Sequence, residues 1–354
     1  MSKSLQHIFK YLSIYISASL DISTSIDLVC KRLKHKKILS IFKEIQEKIK
    51  EGKSFKDACI VLKNEKMLDG VAWSLLSSAE HGGNISGACL SISKHLDEQS
   101  KIKSSLVGAL AYPVGMFVAS ILMVLFLITI AFPKIIPLFK SMNAPIPATT
   151  QFLLNISSFI SNWGVYVLML SAGVLAVCSR LYYKENTFKF RVQFCILKVP
   201  IISKILLFKE YVNIASSISL LLKNNKTLEE SILVAMESCV YVPIVVELNS
   251  ILQNIVSGQK ISAAFDLTLS KGKGHSFFSE EWIDLISVGE ITGSLPQSFG
   301  DISNLHATRY KDAVQVLMRS SEPIALCCTA VVVLFIALSV VTPMYSIIQQ
   351  VQGQ

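Results

Sequence analysis

A long stretch without charge in the first half of the chain most constrains its fold. Residues Ser104–Pro133 contain no Asp, Glu, Lys, Arg or His, and Leu110–Phe132 is almost wholly apolar. A helix needs roughly 20 apolar residues to cross the hydrocarbon core of a bilayer, so we predict a transmembrane helix over 107–132. The composition agrees: only 17% of the residues are charged, whereas soluble domains carry about 25%.

Two further segments have the length and composition of membrane spans. Ser141–Ser179 is free of charged residues, and it predicts a second span over 156–178 that follows an exported loop over 133–155. The apolar run that begins at Ile324 predicts a third span over 323–348 and leaves a short tail, 349–354. The chain is therefore expected to lie in the lipid bilayer as a multi-pass membrane protein.

The distribution of Lys and Arg predicts how these spans are oriented. Residues 1–106 hold 17 of them and residues 179–322 hold 15, whereas the loop 133–155 holds two and the tail none. Segments rich in Lys and Arg tend to stay on the cytoplasmic side. Both large segments are therefore predicted to be cytoplasmic, with the N-terminus inside and the C-terminus outside.

The two halves of the chain share an internal repeat. A shift of 210 residues superimposes glutamate, glycine and proline positions on residues of the same type, and a shift of 206 does so further upstream. The pairs are Glu80 and Glu290, Gly83 and Gly293, Pro113 and Pro323, Pro133 and Pro343, and, upstream, Gly52 and Gly258. Several coincidences in register around apolar segments indicate two copies of one structural unit.

The first residues allow one alternative, a cleavable signal peptide. Lysines followed by the apolar run Tyr11–Ser17 and by the small residues Ser17–Ser19 loosely resemble such a leader. Phe9–Ser19, however, matches Ala215–Asn225 in the repeat, which is an internal segment. We therefore predict that these residues form the first helix of a folded domain.

The local patterns within each half are helical. Residues 38–51 place apolar side chains three and four positions apart, which is typical of an amphipathic helix. Thr227 and Glu230 form a capping box, and Asp21 occupies the equivalent position in the first half. We predict an all-α membrane protein in which two repeated cytoplasmic six-helix bundles are joined to three transmembrane helices.

Short motifs recur at the ends of these units. Ser78–Gly83 and Ser287–Gly293 each combine a glutamate with glycine, Tyr112 precedes Pro113 at the first span, and Pro323 begins the third. These motifs, together with the repeat order and the extra middle span, resemble the type II secretion F family over nearly the whole chain. The positions assigned to the structural motif are Glu80, Gly83, Tyr112, Pro113, Pro133, Gly289, Glu290, Gly293, Pro323 and Pro343.

The resemblance implies a function for the chain. It implies a platform protein in the bacterial inner membrane, part of a type IV pilus or type II secretion machine. Such a protein would bind the cytoplasmic assembly ATPase, move pilin subunits into or out of the membrane, contact other inner-membrane pilus assembly proteins and form a homo-oligomer. The chain begins directly in its first repeat, which resembles the short pilus-type members of the family more than the secretion members.

The chain also departs from the family pattern. Ala79 stands at the counterpart of Gly289, and Ser19 and Asn225 stand where the family's turn before the second helix usually contains glycine. Because the second copy of the motif is the fuller one, we predict that Gly293 is more sensitive to substitution than Gly83.

A basic cluster is the densest run of charge in the chain. It consists of Lys31, Arg32, Lys34, Lys36 and Lys37. Such a cluster can contact an acidic partner surface or anionic lipid headgroups, and it can also be a solvated loop. We assign it as the partner-binding candidate. Nucleic acid is not expected as a partner, because no aromatic interleaving or binding motif accompanies the cluster.

The sequence carries no motif for catalysis or for a cofactor. Gly82–Gly87 lacks the Gly-Lys-Ser/Thr ending of a P-loop, and the six histidines are scattered without an HExxH pair. We therefore expect a protein that is not an enzyme and that needs no cofactor. Whether Glu80 or Glu290 binds a metal stays open. The alternatives are an oligomeric transporter or channel, for which the spans lack the usual ionisable residues, and an unrelated membrane scaffold.

Overall fold

The computed structural model describes residues 2–126, 200–271 and 277–352, with a few isolated positions between 166 and 180. Over this part of the chain every regular element is a helix and there is no strand. The prediction of an all-α protein is therefore confirmed for the described residues. The predicted loop 133–155, Pro133 and almost all of the predicted span 156–178 lie outside them.

The first half contains seven helices within residues 2–126. They are α1 (Ser2–Ser17), α2 (Ile22–Cys30), α3 (Lys36–Lys50), α4 (Phe55–Ala58), α5 (Ile60–Asn64), α6 (Gly70–Gly82) and α7 (Ile85–Phe126). The last one, α7, runs through Pro113 and on into the predicted first span.

The helices of the second half follow at regular offsets. They are α8 (Pro200–Lys223), α9 (Leu228–Ser238), α10 (Val242–Val256), α11 (Ile261–Lys271), α12 (Glu280–Thr292) and α13 (Leu295–Gln352). Helix α9 begins 206 residues after α2, at 228 against 22, and α12 begins 210 residues after α6, at 280 against 70. Helix α13 contains the predicted third span, and it runs through Pro323 and Pro343.

The helices end at equivalent positions with the same unusual backbone conformation. Three pairs of residues, each one shift apart, have positive φ: Ser19 (64°) and Asn225 (60°), Gly52 (85°) and Gly258 (90°), and Gly83 (68°) and Gly293 (68°). Glycine adopts this region without strain and Asn tolerates it better than most residues. Ser19 and Asn225 therefore take the left-handed conformation at the two positions where the resemblance noted above predicts glycine.

Side-chain caps begin the second helix of each half, as predicted. The Asp21 carboxylate accepts a hydrogen bond from the Thr24 amide at 2.9 Å, and the Thr227 hydroxyl accepts one from the Glu230 amide at 3.2 Å. The reciprocal half of the predicted capping box is different, since the Glu230 carboxylate pairs with the Lys226 ammonium at 3.1 Å.

The first half has an apolar core to which α1 contributes fully. Leu5, Ile8, Phe9 and Leu12 are all buried in it. Helix α3 presents its predicted apolar face to the same core through Ile38, Ile41, Phe42 and Ile45. The residues that loosely resemble a signal peptide therefore form a core helix of the bundle.

The core of the second half is mainly aromatic. Tyr211 and Trp282 pack against the ring of His306, and Phe265 and Phe278 pack against Trp282. The indole Nε1 of Trp282 donates a hydrogen bond of 2.7 Å to His306 Nε2. Since an indole can only donate, Nε2 of His306 must be unprotonated, and the proton of the neutral ring is on Nδ1.

One compact unit is formed by residues 1–105 and 200–313, which include most of the two predicted bundles, 1–106 and 179–322. Within it α6 packs against α8 and α9, and Leu220, Leu221 and Val234 join the core of the first half. The Asn224 side chain also donates a hydrogen bond to the Ser91 hydroxyl at 3.4 Å.

A second unit comprises residues 106–199 and 314–354. In its described part, α7 exposes large apolar side chains such as Val118 and Leu122. The Ser120 and Thr329 hydroxyls are 3.1 Å apart, which joins α7 to α13. The helix segment Ile85–Met123 is long and apolar enough to cross a membrane and is mostly exposed.

A second helix segment, Ile202–Lys223, also has the length and composition of a membrane span. More than half of its most apolar stretch is buried inside the protein, and the Glu210 side chain is buried on the same helix. A core helix of a folded bundle has this pattern as well, because it covers apolar side chains with protein rather than with lipid.

Candidate functional site

The basic cluster lies at the C-terminal end of α2, in the loop after it and at the start of α3. Two of its members are in ion pairs, Lys31 with Asp27 at 2.8 Å and Lys37 with Glu65 at 2.7 Å. The guanidinium of Arg32 lies over the ring of Tyr11, 5.3 Å from its centroid, which is a cation–π contact.

Lys34 and Lys36 of the cluster are exposed. Neither takes part in the ion pairs of the described residues. The structure thus divides the predicted partner-binding residues into two groups. Lys31, Arg32 and Lys37 remain exposed but each has a contact within the chain, whereas Lys34 and Lys36 have no ion-pair partner among the described residues.

A cavity of about 230 Å³ lies beside the cluster. Arg32, Lys34, His7 and His35 contribute to its wall, and none of the residues that line it is acidic. Ile8, Val29 and Leu33 supply an apolar part of the lining. An acidic side chain with an apolar stem fits this combination of charge and surface.

Glu290 of the glutamate–glycine motif binds the start of α11. Its carboxylate accepts hydrogen bonds from the amides of Ile261 (2.8 Å) and Ser262 (3.3 Å) and from the Ser262 hydroxyl (2.6 Å). The first amides of a helix have no partner within the helix, and the positive end of the helix dipole favours a carboxylate. Glu290 therefore caps α11 from a different helix.

These contacts also set the ionisation of Glu290. Partial burial alone would raise its pKa, but the hydrogen bonds from Ser262 and Ile261 outweigh burial, and the pKa lies below its usual value. The carboxylate is therefore ionised at neutral pH, which is the form that caps a helix best.

Glu80, the counterpart of Glu290, is exposed. The start of α4, which corresponds to α11, is capped by Ser54, whose hydroxyl accepts from the Asp57 amide at 3.1 Å. The described residues contain no group of three or more His, Cys, Asp or Glu side chains that could hold a metal ion. The arrangement around Glu290 is that of a helix cap.

Gly83 and Gly293 have the same local geometry. Both have φ of 68° and end a helix, and a Cβ atom at either position would meet nothing within 4 Å. The backbone therefore gives no basis for the predicted difference in their sensitivity to substitution, which rested on the motif alone.

The structure shows what Gly289 in the second copy of the motif faces. Gly289 is buried against the first turn of α13, where an added Cβ would overlap the side chain of Ser298. The residues at the corresponding places in the first half are Ala79 and Ala88. Ala88 has no hydroxyl, so the nearest of the close contacts that a Cβ would make in the second half is absent opposite Ala79.

The motif residues near the membrane spans are on continuous helices. Tyr112 is exposed and Pro113 is buried within α7, while Pro323 is exposed on α13. Pro343 lies within α13 as well.

The sequence comparisons identify the family of the chain. A family model described as "Type II secretion system (T2SS), protein F" matches it twice, over residues 8–133 and over residues 214–343. Together these ranges cover more than two thirds of the 354 residues. The chain belongs to this family.

Relatives of the protein F family come from two kinds of machine. The chain is 22% identical over 352 residues to the type II secretion system protein F of Pseudomonas aeruginosa, covering 99% of this chain and 84% of that protein. It is 20% identical over 351 residues to the type IV pilus assembly protein PilC of Thermus thermophilus, covering 98% and 83%. Secretion and pilus proteins are therefore similar to this chain to about the same degree.

One polar feature of this protein F family member was not predicted from the sequence. The Asp69 carboxylate caps α6 through the Ala72 amide at 2.9 Å and lies 2.7 Å from both His95 Nε2 and Gln99 Nε2 on α7. Burial would raise the pKa of Asp69, but hydrogen bonds from His95 and the other partners hold it below its usual value. His95 and Gln99 are one helical turn apart, and this spacing is the only sequence signal for the contact.

A groove between the two halves was also not predicted from the sequence. It lies beside Glu98 and contains two cavities of about 330 and 280 Å³, whose linings share Glu98, Ser303 and Asn304. Partial burial raises the pKa of Glu98, although His95 and Lys101 act against this. The groove joins residues of α7, α8 and α13, which are far apart in sequence, so periodicity within a single helix cannot reveal it.

Proposed function

We propose that this protein is the inner-membrane platform of a type IV pilus or type II secretion machine. In this function the cytoplasmic helices take up motion from an assembly ATPase, and the membrane helices pass it to pilin subunits. The observation that carries the proposal is the double match to the protein F family, whose two ranges include both copies of the glutamate–glycine motif. A platform of this kind needs no catalytic residues of its own.

The proposed topology places both bundles in the cytoplasm and uses three membrane spans. The counts of Lys and Arg support it, with 17 in residues 1–106 and 15 in residues 179–322. The exposed apolar surface of α7 supports the first span. In this topology α8 is a core helix of the cytoplasmic unit, which agrees with its buried Glu210.

We propose that Lys34 and Lys36 form the centre of the ATPase contact. They are exposed, they belong to the most basic part of the chain, and they lie next to the cavity that lacks acidic residues. Charges at the rim of an interface mainly raise the association rate, and salt weakens their effect. The interaction should therefore be strongest at low ionic strength.

Reversal of these two charges tests the proposal. In the full chain, purified in detergent, Lys34→Glu with Lys36→Glu should reduce binding of the same organism's assembly ATPase several-fold at low salt and less at high salt. Lys37 is left unchanged, because a reversed charge there would repel Glu65, its ion-pair partner. The matched control reverses Lys43 and Lys50, which are exposed further along α3.

The possible results separate the candidate surfaces. Weaker binding by the first variant alone supports the cluster as the contact. Equal binding by wild type and both variants at every salt concentration would show that the cluster does not contact the ATPase. Equal weakening by both variants would show a general effect of net charge.

A further inference from the structure

The packing of the two halves against each other uses one surface from each. Helix α6 of the first half lies against α8 and α9 of the second. Leu220 and Val234 pack on the core of the first half. At the edge of the contact the carboxylate of Glu237 lies beside Gly70 at the start of α6, where an added Cβ would be 3.2 Å from Glu237 Oε2. We call this the internal contact.

The repeat places a second copy of each surface elsewhere on the protein. Helix α12 corresponds to α6 at an offset of 210 residues, and α1 and α2 correspond to α8 and α9 at an offset of 206. Ile14 is therefore the counterpart of Leu220, and Lys31 and Arg32 are the counterparts of Glu237 and Ser238. Each half therefore carries an α6-type surface and an α8–α9-type surface, but the internal contact uses only α6 of the first half and α8–α9 of the second. We call the remaining two, α12 and α1–α2, the unused surfaces.

The unused surfaces expose apolar side chains in the described unit. Ile14 on α1 is 51% exposed, whereas Leu220 at the same place in α8 is partly buried in the internal contact. On α12, Val288 is 57% exposed and Ile291 is 83% exposed. Val288 corresponds to Ser78 of α6. At this position α12 is therefore more apolar than α6, although α6 is covered by the internal contact and α12 is not.

The unused surfaces also have opposite charges. Glu280, Asp284, Val288 and Ile291 recur at intervals of three or four, so they lie on one face of α12 with the acids near its N-terminus. Lys31 and Arg32 are exposed at the C-terminal end of α2. In the internal contact, the start of α6 meets the end of α9. An equivalent contact would bring Glu280 towards Lys31 and Arg32, where the charges attract.

We propose that α12 of one copy of this protein docks on the α1–α2 surface of a second copy and repeats the internal contact between chains. The two surfaces are different, so the interface is head-to-tail, and it leaves one unused surface at each end of a pair. Such an interface builds a closed ring or an open chain, depending on the rotation between neighbours. The proposal goes beyond the platform function and does not depend on it.

Cross-linking between two differently tagged copies tests this arrangement in membranes. One full-length copy carries Ile14→Cys and the other carries Ile291→Cys, and both carry Cys327→Ser because Cys327 is exposed in the wild type. A short bismaleimide should join the two tags. Two copies that both carry Ile14→Cys, or both Ile291→Cys, should give at least ten-fold less product. Ile60→Cys replaces Ile14→Cys as the control, since Ile60 is exposed on another part of the first half.

A charge exchange tests the orientation of the docked helix. Arg32→Glu alone and Glu280→Arg alone should each reduce the cross-link yield several-fold, and a chain that carries both changes should recover it. A same-site cross-link stronger than the mixed one would mean that like surfaces meet, and it would overturn the head-to-tail arrangement. Absence of the mixed product, or an equal yield with Ile60→Cys, would also overturn the proposal. So would a cross-link from Ile291→Cys to the assembly ATPase without one to a second copy.

Discussion

Gly289→Ala tests the close contact between α12 and α13. A methyl group at residue 289 would overlap the Ser298 hydroxyl and would lie 2.8 Å from Ser298 Cβ and 3.2 Å from Leu295 Cα. The hydroxyl can rotate away, but Ser298 Cβ and Leu295 Cα are fixed to the helix. The two helices must therefore move apart for the alanine to fit.

Two effects of opposite sign decide the stability of this variant. Alanine is favoured over glycine inside a helix by about 1 kcal/mol. Overpacking of a close contact typically costs about 1–3 kcal/mol. Because three atoms of α13 are involved, we expect overpacking to dominate and the free energy of unfolding to fall by about 1–2 kcal/mol. For a unit of this size the melting temperature would fall by roughly 2–8 °C.

The first half of the chain supplies the compensating change. Ala79 and Ala88 occupy the equivalent positions there, so Ser298→Ala should recover part of the stability that Gly289→Ala loses. The two residues are in contact, so a double-mutant cycle should give a favourable coupling energy of about 0.5–1.5 kcal/mol. Recovery will be partial, because Ser298 Cβ stays in place.

The assay is thermal unfolding of the full chain in detergent, followed by tryptophan fluorescence. Trp282 reports on this bundle directly, since it is buried in the core of the second half. Ser298→Ala alone is the control. The reasoning is refuted if Gly289→Ala raises the melting temperature, and raises it by the same amount whether residue 298 is Ser or Ala. Helix propensity would then be the only effect.

Three other predictions concern the membrane topology, the Glu290 cap and the buried His306. A periplasm-dependent reporter fused after Gln354 should be active if the C-terminus is outside, and inactivity of a stable, inserted fusion contradicts the topology. Glu290→Ala should cost about 1–2 kcal/mol by uncapping α11, whereas Glu80→Ala should cost less than 0.5; equal losses would contradict the cap. Burial, with Arg309 nearby, lowers the pKa of His306 from 6.5 to about 4, so the unfolded chain binds more protons between these values. The contribution of neutral His306 to the free energy of unfolding is then fully present above pH 6.5 and falls by about 3 kcal/mol towards pH 4. In urea unfolding at several pH values, His306→Phe should reduce this dependence of the unfolding free energy on pH.

The parts of the fold that depend on local sequence were predictable. The apolar spacing in 38–51 predicts α3, and Asp21 and Thr227 predict the starts of α2 and α9, because a cap or an amphipathic face is determined by residues a few positions apart. The repeat added the correspondence of the two halves. Neither signal, however, contains information on which helices of different halves touch.

The candidate site shows where this limit lies. The ion pair between Lys37 and Glu65 joins residues that no local pattern connects, and it removes one of the five cations from the predicted partner surface. Glu290 is a similar case, because the helix it caps begins at Ile261. Composition identifies a charged residue, but only the tertiary contacts show whether its charge is already paired.

Differences between the two halves carry more information than either half alone. Where a surface is covered in one half and open in the other, one position stays apolar and another reverses its charge: Leu220 is matched by exposed Ile14, and Glu237 by Lys31. A surface that only faced water would gain nothing from keeping an isoleucine half exposed, since apolar area costs free energy in water. The base at residue 31, where the second half has Glu237, then favours α1–α2 over α8–α9 as the surface on which α12 of another copy docks, because Glu237 would repel Glu280.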